Sequence, residues 1–168
     1  ETGRLTFPVI RDRVDRIVVT TENEIADAIL LLLERKHIVA EGAGAAPLAA
    51  LMNGSIDIRP GSTIVLVISG GNVDSAQLFR IIRQSMARQG RIMRFSVLIE
   101  DQPGALANLL AIIAGKRGNI LRIRHTSGEE NIPVQMTRVH LELETRSRDH
   151  IQSIRDAVTD AGYTIMMG

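Results

Sequence analysis

The sequence predicts two units of different class: an α/β piece over residues 1–91 and an α+β domain over residues 92–168. Two observations carry this. In the first part, short β-branched runs without alternation, Arg16–Thr20 and Thr63–Ile68, are separated by helical segments, the pattern of buried parallel strands. In the second, Phe95, Val97 and Ile99 alternate, and Leu106, Leu109, Leu110 and Ile113 then fall at i, i+3, i+4, i+7, so the period switches from two to 3.6. The switch recurs further on, and the resulting order βαββαβ is the ferredoxin-like arrangement, one antiparallel sheet with both helices on one face.

The elements follow in turn. After the strand-like Arg16–Thr20, Thr21 and Glu24 have capping-box spacing and open a helix with a stripe of Ile25, Ile29, Leu32 and Leu33. His37–Ala40 reads as a short extended piece, and Gly42–Pro47 leads an alanine-rich helix to about Asn53. Thr63–Ile68 reads as a central strand ending in Ser69-Gly70-Gly71-Asn72, with a helix from about Asp74 to Gln89. This part supplies two or three strands, too few for a complete doubly wound domain. In the second part, a helix from Leu106 stops at Gly118. Asn119–His125 is a strand, and Thr126–Pro133 a loop containing Gly128. Val139, Leu141 and Leu143 alternate on a third strand. Ser147 caps a helix with the stripe Ile151, Ile154, Val158 and Ala161, and Tyr163–Met166 closes the sheet.

Composition narrows the chemistry. Twenty basic and 19 acidic residues leave a formal charge of +1, which argues against a polyanion binder. Aromatics are 2% of the chain (Phe7, Phe79, Phe95 and Tyr163), and none is interleaved with Arg122, Arg124, Arg138 and His140, so an RNA-stacking sheet is disfavoured against a solvated basic face or a domain contact. No cysteine is present, which removes disulfides and thiolate chemistry. His37, His125, His140 and His150 share no ligand spacing with a carboxylate, so no metal is expected. The longest apolar run, Ala28–Leu33, is too short to span a bilayer and no signal peptide is visible, so a cytoplasmic protein is expected. The chain lacks an initiating Met and enters structure at once with Leu5-Thr6-Phe7-Pro8, which reads as a chain cut from something longer.

Glu100-Asp101-Gln102-Pro103-Gly104-Ala105-Leu106 stands between strand and helix. Backbone N–H groups left unpaired there would form an anion cradle for a small carboxylate; Asp101 reads equally as a helix cap and Pro103 as a first-turn proline.

That strand, then Asp101–Leu106, then Gly118-Asn119-Ile120 opening the next strand, resemble the ACT domain, a regulatory amino-acid-binding module, over about residues 93 to 167. The resemblance implies an amino-acid effector held by Asp101, Gln102, Pro103, Gly104, Ala105 and Leu106, with Asn119 and Ile120 at the ligand or at a neighbouring domain. Isoleucine or valine is the expected effector, and assembly through ACT domains the expected oligomer. Glu41-Gly42-Ala43-Gly44-Ala45-Ala46-Pro47 and Ser69-Gly70-Gly71-Asn72 in turn resemble the C-terminal stretch of threonine ammonia-lyase (threonine dehydratase), a fold-type II pyridoxal-phosphate enzyme that makes 2-oxobutanoate and ammonia from threonine.

On that resemblance Ser69, Gly70, Gly71, Asn72 and Glu41, with the small residues after Glu41, line the cofactor pocket, and the Ser69 hydroxyl meets the pyridine nitrogen; Glu41 reads equally as a helix-start carboxylate. A neutral hydroxyl leaves the ring largely unprotonated, a weaker electron sink that suffices for elimination and disfavours transamination. The family also holds its cofactor on a Schiff-base lysine beside a glycine-rich phosphate loop. The lysines here, Lys36 and Lys116, match neither position and read as helix-end partners. The expectation is therefore no catalysis and no bound pyridoxal phosphate in this chain alone, with the remainder of the catalytic domain as its partner. The alternative is a stand-alone ACT binding or assembly module without a catalytic role. Neither nucleic acid nor membrane is expected as a partner.

Overall fold

The computed structural model describes residues 3–126 and 132–167, which leaves Gly128 and most of the loop around it outside the described residues. Two compact units divide after Ile82, inside a helix and earlier than the boundary at 91–92 expected from sequence.

The first unit is helical. α1 (Thr6–Arg13), which the sequence did not announce, buries none of its residues and so carried no apolar stripe to find. α2 (Glu22–Lys36) opens with the expected capping box: the Thr21 N–H donates to Glu24 Oε2 at 2.7 Å and the Glu24 N–H to Thr21 Oγ1 at 3.3 Å. α3 (Gly42–Met52) follows, and the start of α4 (Ser75–Arg88) completes the unit. The core is small and alanine-rich. Ala28, Ile29 and Leu32 of α2 pack with Ala40 and with Ala45 and Ala49 of α3, flanked by Ile25, Leu48, Ile68, Leu78 and Ile81. Alanine at the helix contact lets the two axes approach closely.

The strands expected at Arg16–Thr20, His37–Ala40 and Thr63–Ile68 are not formed; no residue in 3–82 belongs to a strand ladder. Val19, Val65 and Val67 are 85, 82 and 73% exposed. β-Branched chemistry suits a strand, but a strand exists only when a neighbouring backbone accepts and donates its hydrogen bonds. What remains is one bond, from the Glu41 N–H to the Gly70 carbonyl at 3.2 Å, tying the ends of two extended segments together.

The second unit has the predicted order: β1 (Ile92–Glu100), α5 (Ala105–Gly115), β2 (Asn119–Thr126), β3 (Met136–Glu144), α6 (Arg148–Asp160) and β4 (Ile165–Met167). The sheet is antiparallel in the order β2-β3-β1-β4. Phe95, Val97 and Ile99 of β1 and Val139, Leu141 and Leu143 of β3 point to one face, where Leu109 and Ile113 of α5 and Ile154 and Val158 of α6 bury themselves. Each such side chain contributes about 1.5–3 kcal/mol on leaving water. Ala161, expected on the buried stripe, is instead the exposed C-terminal cap of α6. Ser147 caps α6 as expected, accepting the His150 N–H at 3.2 Å.

The stop after α5 differs from expectation in an instructive way. Arg117, not Gly118, takes the left-handed conformation (φ 61°). Gly118 is small for another reason: a Cβ there would lie 2.9 Å from Ile113 Cγ2 and 3.1 Å from Ile154 Cδ1.

Candidate cofactor and effector sites

In the first unit the fold brings Glu41 and Ser69-Gly70-Gly71-Asn72 together. Glu41 occupies the N-cap position of α3, yet its side chain does not cap that helix. Its Oε2 accepts the Asn72 N–H at 3.4 Å, so the carboxylate restrains the segment after Ser69. Gly70 has φ 68°, and a Cβ there would sit 2.3 Å from the Glu41 carboxyl carbon. Gly44, one of the small residues after Glu41, is the tightest point, because any Cβ would meet the Ser69 carbonyl oxygen at 1.6 Å. Ser69 is exposed at the end of its segment, with glycines after it that leave its surroundings open to a flat ring. A hydroxyl donor there, with no carboxylate on the same residue, fits an aromatic nitrogen acceptor such as that of pyridoxal phosphate.

In the second unit, Asp101–Leu106 forms a turn leading into α5. The N-cap is Gly104 in the left-handed region (φ 93°), with no side-chain cap, so Asp101 does not cap and Pro103 precedes the first helical turn. Asp101 donates its N–H to the Gln135 carbonyl at 2.9 Å, Ala105 donates to the Gln102 carbonyl at 3.3 Å, and the Gln102 side chain donates to the Glu100 carboxylate. Helix geometry leaves the N–H groups of Leu106 and Ala107 without intrahelical acceptors. A cleft of about 320 Å³ opens at this turn, lined by Leu98, Glu100, Gln102, Ala105, Asn108 and Tyr163 among others. Nothing in the sequence pattern tied Tyr163 to this loop.

Asn119 and Ile120 lie elsewhere. The register sets Glu100 opposite Met136 at one end of the sheet, and Ile92 opposite Glu144, itself opposite Asn119, at the other. Those ends are eight residue steps apart, about 26 Å at ~3.3 Å per residue. Asn119 Nδ2 donates to Glu144 Oε2 at 2.9 Å, and Ile120 packs against the core. Within one chain, therefore, these two do not join residues 101–106 around a ligand.

Sequence reasoning also missed an ion cluster built around one buried carboxylate. Glu142, on the sheet face away from the helices, has a side chain only 10% exposed; it accepts from Arg83 and, at 3.1 Å, from Arg94. Burial pushes its pKa up, but the hydrogen bonds from Arg83 and then Arg94 more than offset this, so the carboxyl lies below its ordinary value.

Comparison with known proteins bears on both units. The family described as pyridoxal-phosphate dependent enzyme matches residues 1–70. An L-threonine ammonia-lyase of Geobacter sulfurreducens is 42% identical over 163 residues, covering 97% of this chain and 40% of the relative. The chain is similar to part of the L-threonine ammonia-lyases. A second such enzyme, from Thermotoga maritima, is 39% identical over the same shares of both chains. The L-threonine dehydratase catabolic TdcB of Escherichia coli is 42% identical over 81 residues, 47% of this chain and 24% of that one. The chain thus spans about two fifths of the length of the first two relatives. Among solved structures, the regulatory subunit of aspartate kinase from Thermus thermophilus overlays 46% of this chain and 50% of its own, at 16% identity and a TM-score of 0.38, a likeness too slight to carry an argument. Among the described residues no helix is long and apolar enough to cross a membrane, and no group of three or more His, Asp or Glu could hold a metal.

Proposed function

We propose that the chain is the C-terminal portion of a threonine ammonia-lyase, its first unit completing a pyridoxal-phosphate pocket and its second an ACT-type domain that senses an aliphatic amino acid. The observation that carries this is the similarity to ammonia-lyases across 97% of the chain, through both units. The exposed valines at 19, 65 and 67 fit the same reading, as strands of a sheet whose other members the remainder of the catalytic domain would supply.

When bound, the cofactor supplies the electron sink for loss of the α-proton and the β-hydroxyl of threonine. The chain's own part is to donate a hydrogen bond from Ser69 to the ring nitrogen without delivering a full proton. Glu41, by accepting the Asn72 N–H, holds the Gly70-Gly71 backbone against drift.

For the effector, the loop offers charges of both signs. A carboxylate fits the N–H groups at the start of α5, and an ammonium group fits the Glu100 carboxylate that lines the cleft, so a zwitterionic amino acid suits it better than a simple anion. Isoleucine or valine would rest its side chain against the apolar wall of the cleft. Asn119, at the outer strand β2, would reach such a ligand only from a second copy, which favours a homo-oligomer assembled through these domains.

Calorimetry of the chain with isoleucine, valine, threonine and serine, together with sedimentation, tests this reading. Saturable binding of a branched aliphatic amino acid supports the sensor. A dimer that binds none of the four at millimolar concentration makes the second unit an assembly element instead.

A further inference from the structure

We infer that the open face of the four-stranded sheet carries a second ligand site, for a small phosphoryl-bearing molecule, separate from the loop at residues 101–106. The register builds it row by row. Ser96 of β1, His140 of β3 and Arg124 of β2 stand side by side across three strands, and Arg94, Glu142 and Arg122 form the adjacent row. Neighbouring strands lie about 4.8 Å apart, so hydroxyl, imidazole and guanidinium donors converge within one small anion's reach.

Charge favours an anion strongly. Arg83, Arg94, Arg122 and Arg124 line one groove of about 380 Å³ with a single carboxylate, that of Glu142. Glu142 is already bound by Arg83 and Arg94. It anchors those two guanidiniums in the floor, while Arg122 and Arg124 are exposed beside Ser96 and His140. The row Ser96–His140–Arg124 contains no acid to neutralise it.

The shape and composition define the ligand class. The volume falls near the lower end of small-molecule sites, about 300–1,000 Å³. Among the described residues no Phe, Tyr or Trp ring projects on this face, since Phe95 belongs to the core, so His140 is left as a single ring where stacked bases of a nucleic acid need a platform of several. A phosphoryl group offers three oxygens to three different donors at once and carries the charge that guanidinium forks match best; a lone carboxylate offers two oxygens and half the charge.

The test is calorimetric titration of the chain with sodium phosphate and with glycerol 3-phosphate, at ionic strength fixed by ~0.15 M chloride. Saturable one-to-one binding of either probe is expected, free phosphate and the phosphate ester being told apart by which binds tighter. Arg124→Gln and Ser96→Ala should each weaken it, the former by about tenfold, the loss of one charge-assisted hydrogen bond. Arg155→Gln, at an exposed position of α6 on the other side of the sheet, should leave it unchanged, with far-ultraviolet circular dichroism confirming that each variant folds. A Gly104→Val variant should bind phosphate normally, which separates this site from the amino-acid site. The inference is overturned by any of three results: no saturation by ~10 mM phosphate, equal weakening by Arg155→Gln, or acetate binding as tightly as phosphate.

Discussion

A Cβ on Gly44 would stand 1.6 Å from the carbonyl oxygen of Ser69, so the first turn of α3 and the end of the extended segment at Thr63–Ile68 are in backbone contact. No side-chain rearrangement can relieve that contact, because both atoms are fixed to main chain. The position of Ser69 therefore depends on a hydrogen atom at residue 44.

Gly44→Ala should destabilise the first unit by ~3 kcal/mol, at the upper end of overpacking costs. Urea unfolding followed by circular dichroism would measure it. A change below about 0.5 kcal/mol would mean that the two backbones separate freely.

Neighbouring residues after α5 should respond with opposite signs. Arg117 is left-handed, where a side chain costs about 1–2 kcal/mol, so Arg117→Gly should stabilise by up to about 1 kcal/mol after the added freedom of the unfolded chain is subtracted. Gly118→Ala should destabilise, because its Cβ meets Ile113 and Ile154. Thermal melts of both variants decide the matter; equal signs would refute the assignment.

The Glu142 cluster implies a pH dependence. The folded-state pKa of Glu142 is lowered, so its contribution is present above the unfolded-state value and is lost as pH falls through the folded one. Stability of the second unit should drop as pH is lowered below ~4.3, the ordinary glutamate range. Glu142→Gln should cost about 1–2 kcal/mol at pH 7, discounted because Arg83 and Arg94 are partly solvated, and should flatten that acid limb. Urea midpoints between pH 7 and pH 3 for both proteins supply the comparison.

On the proposed function, this chain by itself should neither trap pyridoxal phosphate on Lys36 or Lys116 under borohydride nor form 2-oxobutanoate from threonine. In the complete enzyme, Ser69→Asp should slow elimination and raise side transamination, since a carboxylate would hold the ring nitrogen protonated. Unaltered elimination, with no drift of cofactor to its amine form, would remove Ser69 from the ring nitrogen.

Gly104→Val tests the effector loop through two effects at once. Nothing lies within 4 Å of a Cβ there, so the added bulk enters open space in front of the loop. With φ at 93°, however, the substitution also strains the backbone by about 1–2 kcal/mol. Loss of amino-acid binding should exceed what that strain explains, as judged from the variant's own melting temperature.

The sequence by itself determined the second unit's element order and most of its core. Alternation at Phe95, Val97 and Ile99, the stripe from Leu109 to Ile113, and the Ser147 and Thr21 caps are local patterns, each complete within a few residues of chain. It also determined that Glu41 and Ser69–Asn72 were worth placing together. Tertiary structure alone decided what those residues touch. Glu41 binds the Asn72 backbone rather than capping α3, and Gly44 is small because Ser69, 25 positions later, passes beside it. Asn119 stands at the far end of the sheet from Gly104, because antiparallel register places the start of β2 beside the end of β3. The three strand-like segments before residue 70 stay unpaired for the same reason: strand propensity belongs to a residue, whereas a ladder belongs to two backbones that only the fold can bring together.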